Sequence, residues 1–364
     1  MKKDLEKILI DAASSKLNFT EELGIKGGHN GPYFDQETPV RNTSHWLIVF
    51  CYLFKKTHQE QYKLAALKAI NFLQSEKSRP MNSAFFCRTK KEKDFCNGLM
   101  GQAWAIEALI YAYRTFEDEA LYNLAEKVFL CHDFDKKRYI WYRTNVDGSK
   151  LSHDETFNHQ LWFCAVGSLL TKSPEVLNQC DAFFEKIAIN PGVYRSGVIF
   201  HNTSIYKWDN EIRCGFKSII DNIYRNLVNL KNRRAMYSKS VGYHGFNLYA
   251  FELLKERYHS HNFFKGKKFK SMLEVTLSDS FIEDLNTSKY SYGYNPPGFE
   301  IGFSLLSNGY GNGVAQDYLI RHFDITKDDV HYNSAVSQDV ETSEARLYEA
   351  VRILDFLDVN FEQQ

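Results

Sequence analysis

The segment HDETFNHQLWF (His153–Phe163) brings two carboxylates and two imidazoles to the start of an apolar, helix-patterned run. Asp154 is placed to cap a helix N-terminus, and Glu155 and His159, four residues apart, share one helical face. Such a set can act as a general acid or base oriented by an imidazole. A cap followed by an ordinary helix-start acidic residue would read the same way. A metal site from His153, Glu155 and His159 lacks an HExxH or Cys/His companion pattern, so neither a metal nor another cofactor is expected.

Similar groups recur at the starts of other apolar runs. His45, His159 and His244 hold early positions on three of them, and neutral imidazoles in one layer suit proton transfer near neutral pH. Glu300 follows a Pro-Pro-Gly turn between Phe299 and Ile301. Burial there would raise its pKa as a catalytic acid requires, or else Glu300 pairs with Arg346 or Arg41. Arg41 could clamp a carboxylate or phosphate. With His45, Asn97, Gln102, Trp104, Tyr243, Tyr292 and Tyr294 it forms a candidate substrate-binding ring, in which the aromatic residues would stack on a sugar. Loop residues Tyr194, Arg195, His201 and Trp208 are further candidates.

The elements that must position these groups repeat. HWLIVFCYLFKKTHQEQYKLAALKAINFL and NGLMGQAWAIEALIYAYRTFEDEALYNLAEKVFL are two copies of one plan. Each is a helix apolar nearly all round, a short polar turn, and an amphipathic helix with Tyr-x-Leu-Ala (Tyr62, Leu64, Ala65; Tyr122, Leu124, Ala125). Four looser copies follow, the last around SEARLYEAVRILDFL. The pattern predicts an all-α fold: one (α/α)6-barrel domain over residues 1–364, with inner helices apolar on every side. The N-terminal segment Lys3–Leu17 would pack outside the ring or complete it. The long connections 76–96, 132–153, 190–241, 278–298 and 323–341 all enter inner helices, so they and segment 27–44 gather on one face. Strand-like alternation in Arg138–Thr144 and Gly192–Trp208 predicts small β-hairpins there. GYGNG (Gly309–Gly313) falls in a short turn at the other end with no strand before it, which excludes a nucleotide loop.

Composition narrows the partners. Lys+Arg and Asp+Glu both number 45, which offers no charge excess for nucleic acid. No run is long enough for membrane insertion or a signal peptide. Seven cysteines without CxxC spacing, Cys214 among them, read as reduced thiols of a cytoplasmic protein. The aromatic surplus, 22 Tyr, 28 Phe and 5 Trp, fills a helical core and can also face a glycan or sugar.

With these features in place, the chain resembles the six-hairpin (α/α)6 carbohydrate-active enzymes. More narrowly, TPVRNTSHW (Thr38–Trp46), NGLMGQAWAIEALIYAY (Asn97–Tyr113) and NPPGFEIGF (Asn295–Phe303) resemble a group encoded in prokaryotic surface-polysaccharide and glycosylation gene clusters. The leading expectation from the residues themselves is a glycoside hydrolase, with Asp154 or Glu155 opposite Glu300 as the carboxyl pair and His159 and His244 orienting or assisting. The alternatives are a sugar epimerase or isomerase using two histidines, a uronic-acid lyase with Arg41 on the carboxylate, and a non-catalytic glycan-binding protein. The DxDD motif of toroidal terpene cyclases and the Cys/His zinc pattern of lanthionine cyclases are both lacking.

Overall fold

A computed structural model describes residues 2–203 and 232–361. The chain opens with helix α1 (Lys2–Ser14) and a 3-10 turn at Gly31–Tyr33. Helix hairpins follow: α2 (Val40–Thr57) with α3 (Glu60–Gln74), and α4 (Gly98–Phe116) with α5 (Glu119–Leu130). Strands β1 (Phe134–Asp135), β2 (Ile140–Thr144) and β3 (Lys150–His153) lead to α6 (Phe157–Ser168) and α7 (Pro174–Phe184). After β4 (Pro191–Val193) and β5 (Ile199–Thr203), α8 (Arg233–Gly242) introduces α9 (His244–Tyr258), backed by α10 (Asn262–Lys265) and α11 (Lys267–Glu274). Helix α12 (Asp279–Thr287) precedes α13 (Pro297–Ser307) and α14 (Asn312–Thr326). The last inner element is α15 (Val340–Ala345), a 3-10 turn at Arg346–Glu349, and α16 (Ala350–Phe361).

Helices α2, α4, α6, α9, α13 and α16 each pack on the next, and α16 returns to α2. The ring therefore closes as an (α/α)6 barrel. The sixth outer helix is α1, which lies against both α16 and α2, so the chain's two ends build one hairpin. That resolves the two options for the N-terminal segment: it completes the ring.

Burial follows the sequence pattern. In α4 every residue from Gly98 to Ala112 is buried, whereas in α5 only the stripe Leu121, Tyr122, Ala125, Val128 and Phe129 is. An inner helix touches neighbours all round, and an outer helix keeps one wet face. The long connections meet at the N-terminal end of the inner ring. There β1-β2-β3 form an antiparallel sheet and β4-β5 a hairpin. Bridges Glu37↔Arg88 and Thr156↔Asn202 tie the loops to one another. Segment 278–298, expected as a loop, contains α12, capped by Ser278. Trp208 and Cys214 lie outside the described residues.

Leu9 of α1 is fully buried in the main core. Leu9→Ala is expected to destabilise the protein by about 3 kcal/mol, as for a central core leucine. Urea unfolding would measure it, and a change near zero would mean that α1 is a frayed appendage.

Candidate active site

Where the loops cover the inner-helix N-termini, a hollow of about 130 Å³ opens. Tyr33, Trp104, Tyr243, Phe246 and Tyr294 form aromatic walls. The Tyr33 and Tyr243 hydroxyls are hydrogen-bonded at 2.7 Å, and Tyr294 donates to Asn30 Oδ1 at 2.7 Å. Flat rings with tethered hydroxyls suit a sugar, whose faces are apolar and whose rim is polar. A second, open groove shares Arg88, Lys93, Asn97, Thr156 and His159 with the hollow and runs outward past Arg143.

His159 stands between the two. Eleven of the twelve residues of α6 are buried, and His159 is the exception. Its Nδ1–H donates to Asp154 Oδ2 at 2.7 Å, which leaves Nε2 for the hollow. Asp154 is itself fixed by the amides of Leu99 (3.0 Å) and Thr156 (3.2 Å). Burial works against its charge, but the His159 ring and the Leu99 amide prevail and hold its pKa at about 2. The fit depends on Gly98, which takes a φ of +60°. A Cβ there would lie 2.4 Å from Asp154 Oδ2 and 2.9 Å from His159 Nδ1.

A second imidazole, His201 on β5, lines the same hollow. Its Nδ1 is buried with no partner, and its ring lies 4.7 Å from that of Tyr243. Burial and then the charges of Lys239 and His159 push its pKa well below the ordinary histidine value.

The floor is Arg346. It donates to Asn295 Oδ1 (3.0 Å), Glu300 Oε1 (2.6 Å) and Glu349 Oε1 (2.7 Å), and it lies over the Phe246 ring. Two carboxyls thus share one buried guanidinium. Burial raises the pKa of both, Glu349 to about 7. Arg41 is equally buried, bonded to Glu37 and Asn30 and stacked 4.0 Å from the Trp104 ring centroid.

The predicted residues divide accordingly. His159, Asn97, Trp104, Tyr243 and Tyr294 line the hollow, and Asp154 braces His159 from the adjoining groove. Glu300 does not reach the hollow: it sits behind Arg346, the pairing foreseen as its alternative. Glu155 is also outside it, its carbonyl accepting from Thr203 of β5. His244 is withdrawn as a catalytic candidate. Its Nε2–H donates to the Met272 carbonyl (2.8 Å) and its Nδ1 accepts from the Ile199 amide (3.2 Å), which occupies both nitrogens. Gln102 is a clamp for the loop above α4, accepting from the Phe85 amide and donating to the Phe85 and Cys96 carbonyls. Arg41 is turned inward to its ion pair with Glu37. His45 lies behind Trp104, stacked on Tyr348 at 4.1 Å. Tyr292 stacks on His322 away from the hollow, and Tyr194 and Arg195 border a different cleft. Sequence reasoning missed Tyr33, Asp35, Arg88, Lys93, Lys239 and the floor role of Arg346; of these, only Arg346 had a signal, as a possible partner of Glu300. Among the described residues no three His, Cys, Asp or Glu side chains are arranged to hold a metal ion.

The closed six-hairpin ring is also the fold of solved carbohydrate-active enzymes. Over 98% of this chain, cellobiose 2-epimerase from Bacillus thermoamylovorans superposes with a TM-score of 0.66 at 10% identity, covering all of that chain. D-mannose isomerase (TM-score 0.59, 13% identity) covers 98% of both chains. An α-1,6-mannanase from Salegentibacter sp. (TM-score 0.57, 10% identity) covers 98% of this chain and 100% of that one. No family model matches the sequence. Archaeal glycosylation protein Q of Haloferax volcanii is 36% identical over 97% of this chain and 98% of its own length. The chain belongs to the archaeal glycosylation protein Q family.

Two outcomes follow from this geometry. Gly98→Ala displaces the Asp154–His159 pair, so ligand binding to the hollow, read by calorimetry, is expected to weaken at least about tenfold. For Glu349, the folded pKa lies above the unfolded value, so its stabilising effect is complete below about pH 4.5 and lost as pH rises through about 7. Relative to Glu349→Gln, the wild type should lose up to about 3 kcal/mol between pH 4.5 and 8 in urea unfolding. A pH-independent difference would place the proton elsewhere.

Proposed function

We propose that the chain acts as one (α/α)6-barrel domain and is a carbohydrate-active enzyme that moves protons on a sugar, as an epimerase or isomerase. The observation that carries this reading is the pair of imidazoles, His159 and His201, on the walls of one aromatic hollow. His201, held uncharged by burial and by the nearby cation Lys239, takes the proton from the carbon beside the sugar carbonyl. The C–H electron pair moves into an enediolate. His159, whose positive form the Asp154 carboxylate balances, returns a proton to that carbon on its other face, or to the neighbouring carbon. Solvent then resets both rings.

Glycoside hydrolysis is the second reading, favoured by the Asp35 carboxylate on the wall with Asp154 adjoining. Both are held below the usual carboxylate range against burial, Asp35 by Lys93, Lys90 and Arg88, so they fit the base of such a reaction rather than its acid. His159 would then protonate the leaving oxygen. A variant of the solved mannanase is inactive with two consecutive aspartates replaced. The two imidazoles on one hollow, with no carboxyl among the described residues there held in its acid form, make proton transfer the preferred reading. The described cysteines are free, which supports a reducing, cytoplasmic setting. Among the described residues no helix is long and apolar enough to cross a membrane.

Incubation of candidate sugars in deuterated water tests the choice. Epimerisation or isomerisation incorporates deuterium at carbon, visible by NMR, whereas hydrolysis yields new reducing ends without it. His159→Ala and His201→Ala are each expected to reduce kcat by about 10²–10⁴-fold. His244→Ala should instead lower stability by about 2 kcal/mol with little change in kcat. Reversal of that pattern would return His244 to the site.

A further inference from the structure

The charges of the hollow do not balance. Arg346 is matched from behind by Glu300 and Glu349. Lys93 (2.5 Å) and Arg88 (3.4 Å) share Asp35 with Lys90 (2.9 Å), and Arg88 also reaches Asp94. Lys239 of α8 remains. No carboxylate among the described residues lies within ion-pairing distance of its ammonium group, which instead faces the rings of Tyr33 (5.1 Å), Tyr290 (5.5 Å) and Tyr243 (6.0 Å). Burial, then the like charges of Lys93 and Lys289, lower its pKa to about 8. A half-buried lysine among other cations is unfavourable in the empty protein, and an anion would relieve it.

We propose that the substrate is an anionic sugar, its carboxylate or phosphate group bound by Lys239 with Lys93 and Arg88 beside it. This rests on the reading of the hollow as the place where a sugar reacts. The tyrosine hydroxyls and rings hold the sugar body, and His201, which feels the charges of both Lys239 and His159, lines the same hollow as the anion anchor. A neutral sugar fills the same space but leaves Lys239 unmatched. Selectivity then comes from one half-buried cation rather than from the ring contacts.

Calorimetry on the full chain at pH 6.5 tests this with glucose, glucuronate and glucose 6-phosphate, comparing the wild type with Lys239→Met. At least one anionic sugar is expected to bind about tenfold or more tighter than glucose to the wild type. In Lys239→Met the gap should shrink to within about twofold while glucose affinity holds, which also shows that the variant is folded. A gap for glucuronate alone identifies a carboxylate, for glucose 6-phosphate alone a phosphate. Equal wild-type binding of all three sugars, or a gap that survives in Lys239→Met, overturns the proposal. Tight anion binding, with cleavage of an anionic glycoside but no deuterium exchange, would sink the proton-transfer reading and leave this one standing. Exchange on glucose with no anion preference would do the reverse.

Discussion

The hollow is organised around one guanidinium. Arg346 sits in the 3-10 turn of the sixth inner element, yet its donors reach Asn295 before α13, Glu300 within α13 and Glu349 one turn on, while its face covers Phe246 of α9. A cation with no bulk water above must be satisfied from the elements that surround it, and here three of the six do so. Replacing such a network by apolar side chains can leave stability unchanged, whereas removing one member strands a buried charge. Its positional effect is the important one: Asn295 also donates to the Gly242 and Tyr290 carbonyls, so the floor and two wall segments share a register.

Much of the polar ring at the helix mouths serves the loops rather than a substrate. Gln102 on α4 and Gln160 on α6 use the same device. Each side-chain amide pairs with both the N–H and the C=O of one loop residue, Phe85 and Trp141 respectively. His244 does this with two different strands of chain, and Asn42 holds the Lys26 carbonyl. Irregular backbone that crosses a buried surface needs partners for its amides, and inner helices supply them through side chains. Few of these polar groups are then left to face the hollow.

This explains what was legible in the sequence. The alternation of wholly apolar and amphipathic helices dictated the ring, and the asymmetry of connection lengths dictated its working face. The densest motif did contain His159 and Asp154. Residue type alone could not separate Gln102 from Asn97, or His244 from His159, because a backbone clamp and a substrate contact need the same donors and acceptors. Depth was also hidden: Arg41 and His45 occupy helix-mouth positions but are covered by Trp104 and Tyr348. Lys239, Lys93 and Tyr33 come from connecting segments with no periodicity, where spacing carries no information about direction.

Because α1 is the outer partner of α16, the first and last helices of the described chain must meet before the toroid exists. Those are its most sequence-distant contacts, and distant contacts are the slowest to form. Arg346 belongs to that final closure, so a nascent polypeptide can stack most of its hairpins and still have no cavity floor. Incomplete copies would thus lack the floor on which the walls of the hollow are aligned.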